Sequence, residues 1–187
     1  MASATNTVAD VGRAPDNDQR CFKINRRNFS GHYDITTTDG KHLFYIDTWS
    51  FSSGKPDLTM HEGPPNKSPV VAVSHMPSLS LTYKIGLGDP NRLASMDWEE
   101  IGKEHLTKSG WRWTTTVLEG ANRETKLSLE WKRTAKMAVD GMAIRFMSSR
   151  NYKLQDTDTN DILAVFTSDR DYRKCGVLQV KKVSCGR

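Results

Sequence analysis

The sequence predicts an all-β, mainly antiparallel protein that closes into a β-barrel of about 10–12 short strands with at most one short helix. Three observations carry that prediction. Apolar residues alternate with period two over most of the chain, and the alternating stretches are rich in aromatic and β-branched residues. The breaks between them are short and contain Gly, Asp and Pro. No amphipathic segment reaches the roughly 15 residues that a βαβ crossover helix would need, which excludes a doubly wound α/β fold.

The elements follow in order. Residues 1–20 hold Ala, Thr, Asn, Asp and Gly with little to pack, so they are expected to form a disordered tail. Residues 21–187 are expected to form one domain, beginning near Cys21-Phe22-Lys23-Ile24. Tyr33 to Thr37 and His42 to Trp49 read as the two strands of a hairpin turned at Asp39-Gly40. Residues 52–69 contain Pro56, Pro64, Pro65 and Pro69, and predict a long loop without a strand. Val70 to His75 is a short strand stopped before Pro77, and Ser80 to Leu87 places Leu81, Tyr83, Ile85 and Leu87 on one face. Trp98 to Glu104 reads either as a short helix or as a decorated loop. Trp111, Trp113, Thr115 and Val117 then share a face opposite Arg112, Thr114 and Thr116. Leu127, Leu129 and Trp131 share a face opposite Lys126, Ser128, Glu130 and Lys132. Ala143 to Met147 is a further expected strand, and Tyr152 to Leu154 leads into a turn at Asp156 to Asp161. Ile162 to Phe166 lacks alternation and is expected to be buried on both faces, whereas Gly176 to Val183 is the last strand.

Composition narrows the function. No apolar run approaches the about 20 residues of a membrane-spanning helix. The first residues have neither a basic n-region nor an apolar h-region, and the three cysteines, Cys21, Cys175 and Cys185, are too scattered for a disulfide framework. These features lead to the expectation of a reduced, cytoplasmic protein. The net charge of +5 is uneven: residues 1–110 carry 12 Lys/Arg against 13 Asp/Glu, and residues 111–187 carry 15 against 9. A basic half points to an anionic partner, either a phospholipid surface or an acidic protein.

Catalytic and cofactor signals are sparse. The five histidines, His32, His42, His61, His75 and His105, show no i, i+2 or i, i+4 pairing. His32 and His42 flank the first hairpin and with Asp47 could form a metal site or the acid–base group of a hydrolase, but polar sheet positions are the commoner role. No metal or cofactor is therefore expected. Gly-x-Ser-x-Gly is absent, and Gly86-Leu87-Gly88-Asp89-Pro90 lacks the features of a phosphate loop. Asp156 to Asp161 lacks the central Gly and terminal Glu of a calcium loop. Cys175 lies beside Arg173 and Lys174, which would lower a thiol pKa, yet an incidental thiol is the simpler reading.

The basic positions remain. Arg112, Lys126, Lys132, Arg133 and Arg145 are the candidate ligand-binding residues for an anionic headgroup. If the strands pair in order, Arg112, Lys126 and Lys132 line one sheet face. Nucleic acid is disfavoured, because Trp111, Trp113 and Trp131 fall on the opposite, apolar face and cannot interleave with these cations.

Three segments carry a resemblance: Lys126 to Thr134, Asn151 to Thr167 and Cys175 to Val180. Their order and character are similar to the small fungal members of the tubby C-terminal-like superfamily, which includes the plant LURP-one-related proteins and the phospholipid scramblases. The resemblance spans about residues 20–183 and is most specific in roughly the last 60. It implies a closed antiparallel barrel of about twelve strands around a hydrophobic C-terminal helix. It also implies a basic wall that binds phosphoinositides and, for the scramblases, a metal segment and membrane helix without counterpart here. Only Ser184 to Arg187 follow Val183 in the sequence, so no core helix is expected after the last strand, and the barrel is expected to be shortened, filled by side chains or filled by something else.

Three functional expectations result. The first is a non-enzymatic module that binds anionic lipid headgroups or an acidic partner, peripheral at a membrane when bound. The second is a carrier of a small apolar ligand inside the barrel, or a dimer, that compensates for the absent helix. The third is a hydrolase using His32, His42 and Asp47.

Overall fold

A computed structural model of the chain describes residues 19–27, 31–49, 56–64, 68–75, 81–92, 96–103, 110–119, 123–143, 151–169 and 174–181. Twelve strands follow in chain order: β1 (Gln19–Arg26), β2 (Tyr33–Thr37), β3 (His42–Thr48), β4 (Leu58–Glu62), β5 (Val70–His75), β6 (Thr82–Leu87), β7 (Asp97–Gly102), β8 (Trp111–Glu119), β9 (Arg123–Arg133), β10 (Tyr152–Asp156), β11 (Ile162–Ser168) and β12 (Lys174–Lys181). Each pairs antiparallel with the next, and β1 pairs with β12 to close the barrel. Closure leaves no unpaired sheet edge. Among the described residues there is no helix.

Pairing register fixes two faces, because residues directly opposed across a ladder share a side. The chain Phe22–Thr37, Ile35–Phe44, Ile46–Met60, Leu58–Ser74, Ser74–Ile85, Tyr83–Ile101, Trp113–Leu129, Trp131–Leu154, Phe166–Leu178 and Leu178–Phe22 runs around one apolar face. This face lines the lumen. An eight-stranded barrel is just narrow enough for side chains to fill. Twelve strands enclose a wider space, so Phe22, Ile35, Phe44, Ile85, Trp111, Trp131 and Leu178 are only half-buried.

Part of the core lies outside the barrel. The connection after β9 folds back over β11 and β12. There the Val139 amide donates to Thr167 Oγ1 at 2.8 Å, and Gln179 Nε2 donates to Asp140 Oδ2 at 2.7 Å. This strap buries Val139, Val165, Thr167 and Gln179 on the outer face. Ala164, on the luminal face of the same strand, is also buried, so β11 is covered on both sides as its unbroken apolar pattern predicts. Beside it, Asn151 is fully buried and accepts the Ser168 amide at 3.0 Å.

Three local expectations need correction. Residues 58–62 form β4, inside the segment read as a proline loop, because the prolines flank a stretch whose amides remain free to pair. Residues 97–102 form β7, neither helix nor loop, because full pairing with β6 overrides the helix-like spacing of Trp98 and Ile101. β1, the first strand among the described residues, includes Gln19 and Arg20, two residues ahead of the strand start expected near Cys21. The strand expected over Ala143 to Met147 lies, beyond Ala143, outside the described residues.

Candidate functional site

The most distinctive feature is a cavity of about 360 Å³ lined by Leu58, Ser74, Tyr83, Ile85, Ile101, Trp111, Trp113 and Trp131. These residues belong to six successive strands, β4 to β9, and share the luminal face. A single space touching six neighbouring strands lies on the concave side of the sheet, which is the lumen. Its walls are almost wholly apolar, with the Ser74 hydroxyl and the Tyr83 phenol as the polar exceptions. Alternation on β8 and β9 delivers the three indoles to this side, and the Trp111–Trp131 register puts two of them at directly opposed positions across the ladder. The Tyr83 ring meets Trp111 edge-on at 4.4 Å between centroids, and Trp131 stacks on Tyr152 at 6.0 Å. Such contacts hold the rings rigidly, giving a preformed apolar site of a size that suits a small molecule. Sequence reading placed Trp111, Trp113 and Trp131 on one inward face and drew the apolar-ligand expectation from such faces, without naming them as site residues.

The basic positions divide. β8 and β9 do pair in order, and Arg112, Lys126 and Lys132 share the outer face. Between Arg112 and Lys132 sits Glu130, which is 8% exposed. Arg112 donates through Nε to Glu130 Oε1 at 3.1 Å, with Nη2 also 3.1 Å away, and Lys132 Nζ donates to Oε2. Two of the cations are thus already engaged by one carboxylate. Lys126 is exposed opposite Thr116, six positions from Lys132 along β9, or about 20 Å at the usual rise per residue. No single phosphate spans that distance. Arg133 lies opposite Tyr152 on the luminal side, beside Trp131. Arg145 lies outside the described residues.

Burial alone would raise the Glu130 pKa, but hydrogen bonds and charge from Lys132 and Arg112 outweigh it and hold the carboxyl below its ordinary value. A group whose pKa is lower folded than unfolded contributes stability above its unfolded pKa of about 4.3 and loses it as pH falls through the folded value. Asp34 behaves alike: burial is outweighed by Arg27 and His42. The urea midpoint is therefore expected to fall between pH 5 and pH 3, and less steeply in Glu130→Gln, with the slope followed by intrinsic fluorescence.

Three histidines, His32, His42 and His61, form a polar seam on the outer face of β2 to β4. Asp47 Oδ1 lies 3.3 Å from His32 Nδ1, which accepts the Thr48 amide at 3.2 Å, and Asp47 Oδ2 lies 3.2 Å from His61 Nε2, close enough to pair but off the line a hydrogen bond needs. His42 Nε2 instead meets Asp34 Oδ1 at 2.9 Å, and Arg27 grips the same carboxylate at 2.7 and 3.0 Å. His32 and Asp47 thus come together as anticipated, whereas His42 belongs to another pair. His61 was missed because only the Tyr45–His61 register brings it in. The ring of Tyr45 lies 5.8 Å from that of His32 and 6.0 Å from that of His61. Burial first, then a hydrogen bond to Asp47, pushes its phenol up to about 12. Hydrolysis needs an activated nucleophile beside a base. Here the phenol is held protonated and the Thr48 hydroxyl donates to the Gly31 carbonyl at 2.9 Å. Among the described residues, no group of three or more His, Cys, Asp or Glu side chains is placed to hold a metal ion.

In comparison with known proteins, no family model matches the chain and no curated protein is similar to it.

Proposed function

We propose that the protein binds a small apolar molecule in the lumen of its barrel, and that the molecule occupies the space a core helix fills in tubby-like barrels. The observation that carries this reading is the 360 Å³ apolar cavity walled by Trp111, Trp113 and Trp131. Apolar surface left facing water is unfavourable, and a cavity that size gains by exchanging water for hydrocarbon. The twelve-strand closure is the number that the tubby resemblance implies, which supports membership of that superfamily on fold-level analogy alone.

The test is a series of unbranched alcohols from hexanol to decanol, followed by tryptophan emission. Three of the five tryptophans line the cavity, so filling it is expected to shift emission saturably. Each added methylene should tighten binding about fourfold, the equivalent of about 0.8 kcal/mol. A response that neither saturates nor depends on chain length would defeat the proposal.

The headgroup reading keeps one supporting observation: Arg112, Lys126 and Lys132 do share the outer face. The engagement of two of them by Glu130 makes it the weaker proposal. Sedimentation with phosphoinositide liposomes at low salt separates the two readings.

A further inference from the structure

The luminal face is polarised in charge along the barrel axis. At the rim where odd-numbered strands end and even-numbered strands begin, the cavity residues Leu58, Ser74, Tyr83, Ile101, Trp111 and Trp131 lie within the first or last positions of their strands. Among the described residues, the charged groups beside them on this face are cations. Lys103, the residue after β7, places its Nζ 5.3 Å from the centroid of the Trp111 ring. Arg133 is exposed two positions beyond Trp131 on the same face, opposite Tyr152. Arg26 faces inward opposite Tyr33 at the same rim. Among the described strand residues, no carboxylate occupies the luminal face at this end.

On that face carboxylates begin at the inner wall of the cavity, where Glu99 opposes the cavity residue Ile85, and continue toward the other end. Asp97 lies opposite Leu87, Glu62 opposite Phe44 and Asp156 opposite Leu129. Arg20 is a cation on that face at the far end, opposite Val180. An anion entering the lumen is therefore attracted to the tryptophan rim and repelled from the far end. A cation over an indole face gains from the ring quadrupole, which keeps the Lys103 ammonium at the cavity mouth. The low dielectric of the apolar wall strengthens its pull on an anionic group.

We propose that the ligand is a single-chain amphiphilic anion, namely a carboxylate on an unbranched hydrocarbon tail. The tail lies among Trp111, Trp113 and Trp131, and the carboxylate meets Lys103 and Arg133 at the rim. This rests on the apolar-ligand reading and adds the polar half of the molecule. Chain length follows from the volume. A water takes about 30 Å³ in the liquid and a methylene is of similar size, so the 360 Å³ cavity has room for a tail of about ten to twelve carbons.

The experiment compares decanoate with decanol at pH 8, below micelle-forming concentrations, by tryptophan emission and calorimetry. The full chain and the double variant Lys103→Gln, Arg133→Gln are used, with circular dichroism confirming the barrel in both. Decanoate is expected to bind at least about tenfold more tightly than decanol, the effect of one charge-assisted contact. That preference should shrink with added salt and vanish in the variant, with decanol affinity unchanged. Equal affinities for the two probes, or a preference that survives in the variant, would overturn the anionic assignment while leaving the apolar site intact. Failure of both probes to bind would overturn the apolar-ligand reading as well.

Discussion

Ser74→Phe is expected to abolish luminal ligand binding while the barrel still folds. Ser74 projects from β5 into the cavity between Leu58 and Ile85, its register neighbours on β4 and β6. It is one of only two polar side chains in an otherwise hydrocarbon and indole wall. A benzyl group at this position extends into space that is already open, so it meets apolar surface and displaces water. Overpacking a filled core costs about 1–3 kcal/mol. Filling an open cavity avoids most of that, and the melting temperature should change by no more than a few degrees. The affinity for decanol should fall at least tenfold, because the ring takes the volume the chain needs. Ser74→Ala is the control and should bind normally. Normal binding by Ser74→Phe would place the ligand elsewhere.

The largest stability effect is expected at Gly176. Its amide lies opposite the end of β11, where β12 begins beside Ser168. A Cβ at this position would sit 2.2 Å from the Thr167 carbonyl oxygen, 2.8 Å from the Phe166 ring and 2.9 Å from the Ser168 Cα. The first and last of these are backbone atoms of a fully paired strand and cannot move aside. Its φ of +154° is also one that L-residues seldom adopt. The neighbouring Thr167 hydroxyl anchors the strap that covers β11 and β12, so a shift of β11 would propagate to the outer core. Gly176→Ala is expected to cost about 3–5 kcal/mol, among the larger effects of a single substitution. Thermal melting should show a fall of about 6–20 °C at roughly 2–4 °C per kcal/mol for a chain of this size. A loss under about 1 kcal/mol would mean that β11 and β12 pack more loosely at this point than their register implies.

Much of the architecture is legible in the amino-acid pattern, for identifiable reasons. The long strands β8 and β9 alternate cleanly, so both their inward faces and their mutual pairing follow from period two. β11 lacks alternation because the Val139 strap covers its outer face, and that double burial shows as an unbroken apolar run. β4 is not legible: five residues between prolines offer too short a window, and its apolar members Leu58 and Met60 match the luminal face only once β3 and β5 are placed. β7 misleads because its outward Trp98 breaks the alternation. Trp98 packs across the strand pair instead, within 3.0 Å of where a Cβ on Gly86 would stand, and it stacks with His75 at 6.0 Å.

The site is only half legible. Alternation places the three indoles inward, but nothing local shows that twelve strands leave room between them. The luminal side of Arg133 follows from the same alternation, since it shares parity with Trp131, and its adjacency to Lys132 in a basic run obscures this. The Glu130 clamp needs register: Arg112 opposes Glu130 directly, a relation no spacing within one strand reveals. The Asp47 seam likewise depends on strands β2, β3 and β4 meeting, with His61 arriving from the segment read as a loop.

An apolar ligand site inside the barrel is tested most directly by a crystal structure of the protein soaked with a bromine-tagged decanol. One anomalous bromine peak is expected within the lumen, in contact with Trp111, Trp113 or Trp131. Bromine only on the outer face, or a lumen closed by packed side chains, would contradict such a site.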